Sequence, residues 1–220
     1  MSFDWDNLGP VLLTAIGQTL WMVVATLLIG GFLGLVLGIL LYATRRGGIL
    51  ANRFVFTVLN VLVNIIRPIP FIIFITAIGP ITIGVVGTQL GTTAATFALI
   101  VAATFGISRI VEQNLVTIDP GVIEAARAMG ASPLRIIVTL LVPEALGPLI
   151  LGYTFVFVAV VDMTAVAGAV GGGGLGDFAI AYGYQRFDWT VTAIAVAIII
   201  VLVQAAQFAG NWLARKALRQ

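Results

Sequence analysis

Long apolar stretches alternate with short polar clusters along the whole chain. The first stretch runs from Val11 to Thr44 and contains no charged residue over 34 positions, more than the ~20 residues that a helix needs to cross about 30 Å of hydrocarbon. Further apolar stretches occupy residues 68–86, 94–108, 145–170 and 189–208. Helices satisfy every backbone polar group inside lipid. The pattern therefore predicts an all-α polytopic membrane protein with about five transmembrane helices.

Glycines are regularly spaced within the first stretch. Gly30, Gly34 and Gly38 recur at every fourth position and so lie on one face of a helix. They would let another helix backbone approach closely, although membrane helices also tolerate glycine without any special packing. The sequence leaves both interpretations open.

The segment 54–79 can be interpreted in two ways, because Arg67, Pro68 and Pro70 interrupt an otherwise apolar sequence. It is either one kinked helix with a buried arginine, or an interfacial helix over 54–66 followed by a span that begins near Pro68. An arginine at the bilayer centre costs at least ~2.5–3.5 kcal/mol, whereas an arginine near the edge extends its charge into water. The second interpretation is therefore preferred.

The basic residues predict how the chain is oriented. A layout with five spans places Arg186 on one side, leaves Arg67 undecided and puts nine bases on the other side, namely Arg45, Arg46, Arg53, Arg109, Arg127, Arg135, Arg215, Lys216 and Arg219. Because cytoplasmic loops are enriched in Lys and Arg, we expect the N-terminus outside and the C-terminus in the cytoplasm.

The composition restricts the chemistry that this chain can perform by itself. Of its 220 residues, 60% are hydrophobic and 9% charged, and it has neither His nor Cys. Thiol, disulfide and imidazole chemistry and most metal sites are thereby excluded. Its single lysine, Lys216, is not part of a phosphate-binding G-x-x-x-x-G-K-[ST] sequence. We expect a chain that is not an enzyme, binds no nucleic acid, metal or cofactor, and leaves any ATP hydrolysis to a partner.

Residues 112–144 form the one substantial polar segment, which we expect to be a cytoplasmic loop. Asp119-Pro120 is typical of a helix start, since Asp caps free N–H groups and Pro fits the first turn. Gly130 suits the left-handed position that closes a helix. Ser132-Pro133 repeats the start signal, and a second short helix is predicted to run to Pro143. Two short capped helices in the main loop indicate a contact surface for a partner.

The centre of this loop resembles a known motif. Glu124-Ala125-Ala126, three residues, Gly130, nine residues and then Leu140-Leu141-Val142-Pro143 resemble the E-A-A-x3-G-x9-I-x-L-P loop in permease subunits of bacterial ABC importers. The resemblance implies that ATPase subunits dock on this coupling loop (residues 112–144). The implied coupling residues are Glu124, Ala125, Ala126, Met129, Gly130 and Pro143. The small Ala125 and Ala126 are expected to leave room for the partner surface.

The resemblance extends over the whole chain. The runs Arg67–Phe71, Ala167–Gly176 and Tyr182–Phe187 look like those of the methionine-importer permease family, while choline and glycine-betaine permeases share a Gly-Gly-Leu-Gly run and are the alternative. The resemblance implies one transmembrane permease domain over residues 1–220 in the bacterial cytoplasmic membrane. It also implies a homodimer, two ATPase subunits that bind the ATP, and an extracytoplasmic substrate-binding lipoprotein.

Candidate residues of the translocation pathway or gate complete the sequence predictions. They are Arg67, Pro68, Pro70, Asp162, Gly172, Gly173 and Gly174. An acid inside a span is costly, so Asp162 could meet the substrate ammonium, pair with Arg67 or Arg109, or face the outer headgroups. The glycine run, from Gly171 to Gly174, is expected outside the membrane. It would serve as an outer gate, a surface against the binding protein, or a flexible connection.

Overall fold

The computed structural model describes residues 5–218, and these residues are helical almost throughout. The α-helices are α1 Trp5–Ala25, α2 Gly31–Thr44, α3 Arg53–Ile66, α4 Phe71–Ala77, α5 Gly79–Val86, α6 Thr92–Val116, α7 Pro120–Ala128, α8 Pro133–Ile136, α9 Val142–Glu144, α10 Leu146–Ala167, α11 Gly174–Phe178 and α12 Trp189–Ala217. Short π-helical segments at 26–30, 137–141, 168–172 and 179–183 join several of them. The prediction of an all-α membrane protein is confirmed.

Within residues 5–218, four helical segments are long and apolar enough to cross a membrane, namely 5–44, 92–116, 146–172 and 189–217. A fifth span arises if α3 and α4 are counted together. Helix α6 continues to Val116, beyond the apolar stretch that ends at Ser108. It can do so because Arg109 and Glu112, one turn apart on α6, form an ion pair that compensates both charges.

The axes of α3 and α4 differ in direction by 109°. Neither Pro68 nor Pro70 can donate a backbone hydrogen bond, and Pro70 has the extended ψ of 134° that ends helical geometry. The segment 54–79 is therefore not one continuous helix, and α4 begins at Phe71, near the start that the preferred interpretation expects. The predicted span over 68–86 is divided at Ile78 into α4 and α5, and neither is long enough to cross a membrane by itself. The position of α3 at the membrane surface stays a prediction.

Helices α2 and α6 pack closely along the evenly spaced glycines. A Cβ added at Gly30 would lie 2.9 Å from the carbonyl oxygen of Ile100, and one at Gly38 would lie 2.6 Å from that of Ser108. A Cβ at Gly34 would meet α6 as closely, at 2.7 Å. These glycines therefore form a helix contact, and α2 and α6 run in the same direction.

Basic residues gather at the end of the bundle where α2, α6 and α12 terminate, which we call the basic end. The α10–α12 pair is antiparallel, because Gly147 contacts Leu218 and Gly210 contacts Thr154. The short helices α7 and α8 pack at the basic end, where the buried Ile123 of α7 and Ile136 of α8 join the same core as α6 and α10. Helix α12 keeps many apolar side chains exposed, as a helix facing lipid would.

Candidate functional site

Both short helices of the coupling loop begin as predicted, and the first ends at the predicted glycine. Asp119 Oδ1 accepts a hydrogen bond of 2.8 Å from the Gly121 backbone N–H. Ser132 Oγ accepts one of 3.4 Å from the Arg135 N–H. Gly130 has a φ of 79°, and a Cβ built there would meet no atom within 4 Å. Glycine is therefore favoured at this position by backbone conformation alone.

Helix α7 presents one face to the protein core and the other to its surroundings. Ile123 and Ala126 are each only 8% exposed, whereas Met129 is 82% exposed. Glu124 and Ala125 are also exposed. The expectation that Ala126 leaves room for a partner is wrong, because it lies one turn after Ile123 and faces the same core. Ala125 remains free to contact a partner.

The second short helix connects to α10 through backbone hydrogen bonds. Proline at 143 cannot donate one, and just before it the Val142 N–H reaches back five residues to the Ile137 carbonyl. The Ala145 N–H then donates to the Leu141 carbonyl at 3.1 Å. The predicted helix to Pro143 thus continues past it, and the coupling loop is joined to α10 without a flexible linker.

The base of α7 also rests against the end of α2. Arg45, Glu124 and Arg127 line a cavity of about 70 Å³ between α7 and the turn after α2. The Arg45 guanidinium carbon lies 4.2 Å from the centroid of the Tyr42 ring, a cation–π distance. Helix α7 is therefore held by its own chain on one side and open on the other.

From Gly172 onward, the glycine run is packed against neighbouring helices. The Gly174 N–H donates to Gln18 Oε1 and the Leu175 N–H donates to Thr19 Oγ1, each at 2.8 Å. Both acceptors lie more than ten residues into α1, about 20 Å from its start at 1.5 Å per residue. The first N–H groups of α11 are thereby capped by side chains of α1.

The packing around these glycines excludes a flexible connection. A Cβ at Gly172 would lie 2.8 Å from the Cβ of Ala95, and one at Gly174 would lie 2.9 Å from Met22 Cε. Gly172 and Gly174 are buried, and Gly173 and Gly174 have φ values of 75° and 83°. The prediction of a flexible link is therefore wrong, because side chains of α1 accept hydrogen bonds from the Gly174 and Leu175 N–H groups. Gly171 is exposed, so a surface against the binding protein stays a prediction. A gating role stays a prediction.

Neither Asp162 nor Arg67 takes part in the ion pair that Arg109 forms. Arg109 pairs with Glu112 on α6, and its second terminal nitrogen donates to Asn60 Oδ1 at 2.9 Å and to Asn64 Oδ1. The alternative that Asp162 pairs with Arg109 is therefore wrong. Within residues 5–218, the exposed side chains of Asp162 and Arg67 make no hydrogen bond or ion pair.

Asn60 and Asn64 were not anticipated as partners of Arg109. Their spacing of four places both amides on one face of α3, and that face turns toward α6. The spacing is visible in the sequence, but the partner lies 45 to 49 positions away along the chain. The contact between these amides and Arg109 could therefore be identified only once the fold was known.

Pro68 and Pro70 hold Arg67 at the junction of two cavities. An apolar cavity of about 240 Å³ lies between α4, α6 and α10, and its walls include Phe74, Phe155 and Met163. A neighbouring polar cavity is lined by Asn64, Arg67, Arg109, Glu112, Gln113 and Val116. Arg67 lines both. The bend between α3 and α4 thus places the unpaired guanidinium of Arg67 beside the apolar cavity.

The fold and these features define a class of protein. Several apolar spans, a basic end, and a capped two-helix loop with one open face are the parts of a membrane transport subunit that docks a partner. The chain belongs to the family described as binding-protein-dependent transport system inner membrane component, whose model matches residues 34–219.

Named relatives of this chain are methionine permeases. It is 44% identical over 221 residues to the probable D-methionine transport system permease protein MetI of Vibrio cholerae, covering 98% of each chain. It is 40% identical over 172 residues to the methionine import system permease protein MetP of Bacillus subtilis, covering 78% of each. A chain from the inward-facing MetNI methionine ABC transporter superposes with a TM-score of 0.94 at 39% identity over 99% of both chains.

Proposed function

We propose that this chain is the permease subunit of an ATP-driven importer that moves methionine into the cytoplasm of a bacterium. The observation that carries this proposal is the 44% identity to a methionine permease over 98% of both chains. The TM-score of 0.94 to a methionine transporter chain supports it independently. These similarities favour methionine over choline or glycine betaine. The chain is a multi-pass protein of the cytoplasmic membrane and not itself an enzyme.

In this proposal the ATPase is a separate subunit that docks on the open face of α7. Ala125 and Met129 are exposed there and available for contact. Glu124 is also exposed, beside the cavity that α7 forms with the turn after α2. A conformational switch needs contacts that differ between its two states, and ATP binding to the partner supplies them. Movement of α7 would pass to α10, because the coupling loop is hydrogen-bonded to α10 without a flexible linker. ATP is bound by the partner alone.

Two copies of this chain would form the pathway. Asp162 is exposed on α10 in the single chain, and a carboxylate facing lipid in mid-span is strongly unfavourable. The face of α10 that carries Asp162 therefore suits the second copy or the pathway between the copies. The basic end would lie in the cytoplasm, and a substrate-binding lipoprotein would deliver methionine at the opposite end.

Reconstitution tests the proposed function. The chain would be co-expressed with its ATPase and binding protein, purified as a complex and placed in vesicles, with labelled L-methionine in the uptake assay. We expect uptake that requires ATP and is reduced by unlabelled methionine but not by choline or glycine betaine. Competition by choline without competition by methionine would overturn the substrate and leave the permease assignment standing.

A further inference from the structure

We propose that the apolar cavity beside Arg67 is a transient site for the transported amino acid, with the substrate carboxylate on Arg67 and its side chain in the cavity. This inference rests on the proposed function, since it names where the permease itself contacts its substrate. Four observations carry it, and each concerns a different property of the site: the walls of the cavity, the free guanidinium, the acid on the same face of α10, and a second cavity that lacks these features.

The walls of the cavity suit an unbranched apolar side chain. Its volume is about 240 Å³, below the ~300–1,000 Å³ of pockets for drug-sized ligands. Phe71, Phe74 and Phe155 contribute aromatic rings, and Met163 contributes a flexible thioether. Sulfur makes favourable contacts with aromatic rings. A thioether side chain is therefore well matched to these walls.

Arg67 supplies the charge that a carboxylate requires. Arg109, which lines the adjoining polar cavity, is already neutralised by Glu112. The Arg67 guanidinium has no side-chain partner among residues 5–218, so its donors are free. Guanidinium groups bind carboxylates through two parallel hydrogen bonds. The free cation beside the apolar walls matches the two ends of an apolar amino acid.

The face of α10 that lines the cavity also carries a charge that is unsuited to lipid. Phe155, Ala159 and Asp162 are spaced by four and three residues and therefore share one face of α10. Phe155 and Ala159 line the cavity, and the adjacent Asp162 is an exposed acid that is unsuited to lipid. The same face of α10 thus carries part of the cavity wall and a charge that fits contact with protein or the pathway better than contact with lipid.

A second, larger cavity lacks these features. It has a volume of about 620 Å³ between α2, α10 and α12, and its described lining contains no charged side chain. Helix α12, with its exposed apolar residues, forms one wall. This cavity offers nothing to a carboxylate and is suited to a lipid chain. The contrast assigns the amino-acid site to the cavity at Arg67.

Variants of the assembled transporter in vesicles test the inference. Arg67→Gln removes the cation, Arg67→Lys keeps it, and Ala159→Phe fills the cavity. Arg53→Gln is the matched control, because Arg53 is an exposed arginine at the start of α3 that lines neither cavity. Two rates are measured for each: methionine uptake, and ATP hydrolysis stimulated by the methionine-loaded binding protein.

We expect Arg67→Gln and Ala159→Phe to lower uptake at least tenfold while stimulated hydrolysis stays within twofold of the parent. Arg67→Lys should retain part of the uptake and Arg53→Gln all of it. Uptake unchanged in both Arg67→Gln and Ala159→Phe, or a parallel fall of uptake and hydrolysis, overturns the site. If Arg67→Gln does not assemble, Arg67→Lys and Ala159→Phe decide by the same criterion. Absence of methionine uptake in the parent complex would instead reject the proposed function.

Discussion

Glycines with left-handed backbone geometry occur both in the coupling loop and in the buried run before α11, but for different reasons. Gly130 has a φ of 79° and open space around its missing Cβ. Gly174 has a φ of 83°, and a Cβ there would lie 2.8 Å from Thr19 Oγ1. The first glycine is needed for chain direction alone. The second is needed for direction and for contact with another helix.

Gly174→Val should have the largest effect on stability. Strain at positive φ costs about 1–3 kcal/mol, and overpacking costs a further ~1–3 kcal/mol. We expect a loss of about 4 kcal/mol in the free energy of unfolding, seen as low yield and an early thermal transition in detergent. Gly84→Val is the matched control, since a Cβ at Gly84 meets no atom within 4 Å. Equal stability of the two variants would contradict the tight packing described here.

Substitutions at two adjacent alanines on α7 test folding and docking separately. Ala126→Asp places a charge against the core and should cost about 3 kcal/mol of unfolding free energy. Ala125→Asp lies on the open face and should leave the thermal transition unchanged while reducing co-purification of the ATPase. The two readouts are the thermal transition of the isolated permease and the amount of ATPase retained. Reversed behaviour of the two variants would mean that the faces of α7 are misassigned.

Gly130→Val should cost about 2 kcal/mol locally, because a β-branched residue is strained at positive φ. The change in chain direction should uncouple ATP hydrolysis from uptake in vesicles and lower methionine uptake at least tenfold. Gly130→Asn tolerates left-handed geometry and serves as the control. Survival of both transport and stimulated hydrolysis in Gly130→Val would refute a coupling role for this turn.

Thr19→Val should have the smallest effect. It keeps the shape of the side chain but removes the acceptor for the Leu175 N–H. A buried donor left without a partner costs about 1–3 kcal/mol, and we expect a loss near 1.5 kcal/mol. Thr14→Val is the control, since the Thr14 hydroxyl is exposed and donates only to the Pro10 carbonyl of its own helix. A thermal transition lowered equally by both would show that the cap on α11 adds no stability.

Features that depend on neighbouring residues could be predicted from the sequence. The caps at Asp119 and Ser132, the left-handed turn at Gly130 and the glycine face of α2 all depend on spacings within a few residues. The apolar stretches located the spans because their length is set by the bilayer. The ends of α6 and α12 were missed, since a helix can continue beyond the lipid where no hydrophobic signal marks it.

Features that depend on distant residues could not be predicted in this way. Gly174 and Leu175 are capped by side chains 156 positions earlier in the chain. A run of four glycines gives no sign of such partners and is equally compatible with a flexible loop. The burial of Ala126 is a different case, because its spacing from the apolar Ile123 already indicated a shared face.

The backbone between the coupling loop and α10 is uninterrupted, so α10 can transmit a tilt from one of its ends to the other. Its 22 residues span about 33 Å at 1.5 Å per residue, so a tilt of about 5° at the basic end would displace the far end by roughly 3 Å. Gly168 follows directly on that far end, and a Cβ there would overlap the Asp177 amide nitrogen. Because the backbones at Gly168 and Asp177 are this close, they cannot move freely past each other. A small rotation imposed by an ATPase would therefore reach the segment between α10 and α12 as a displacement of atomic size.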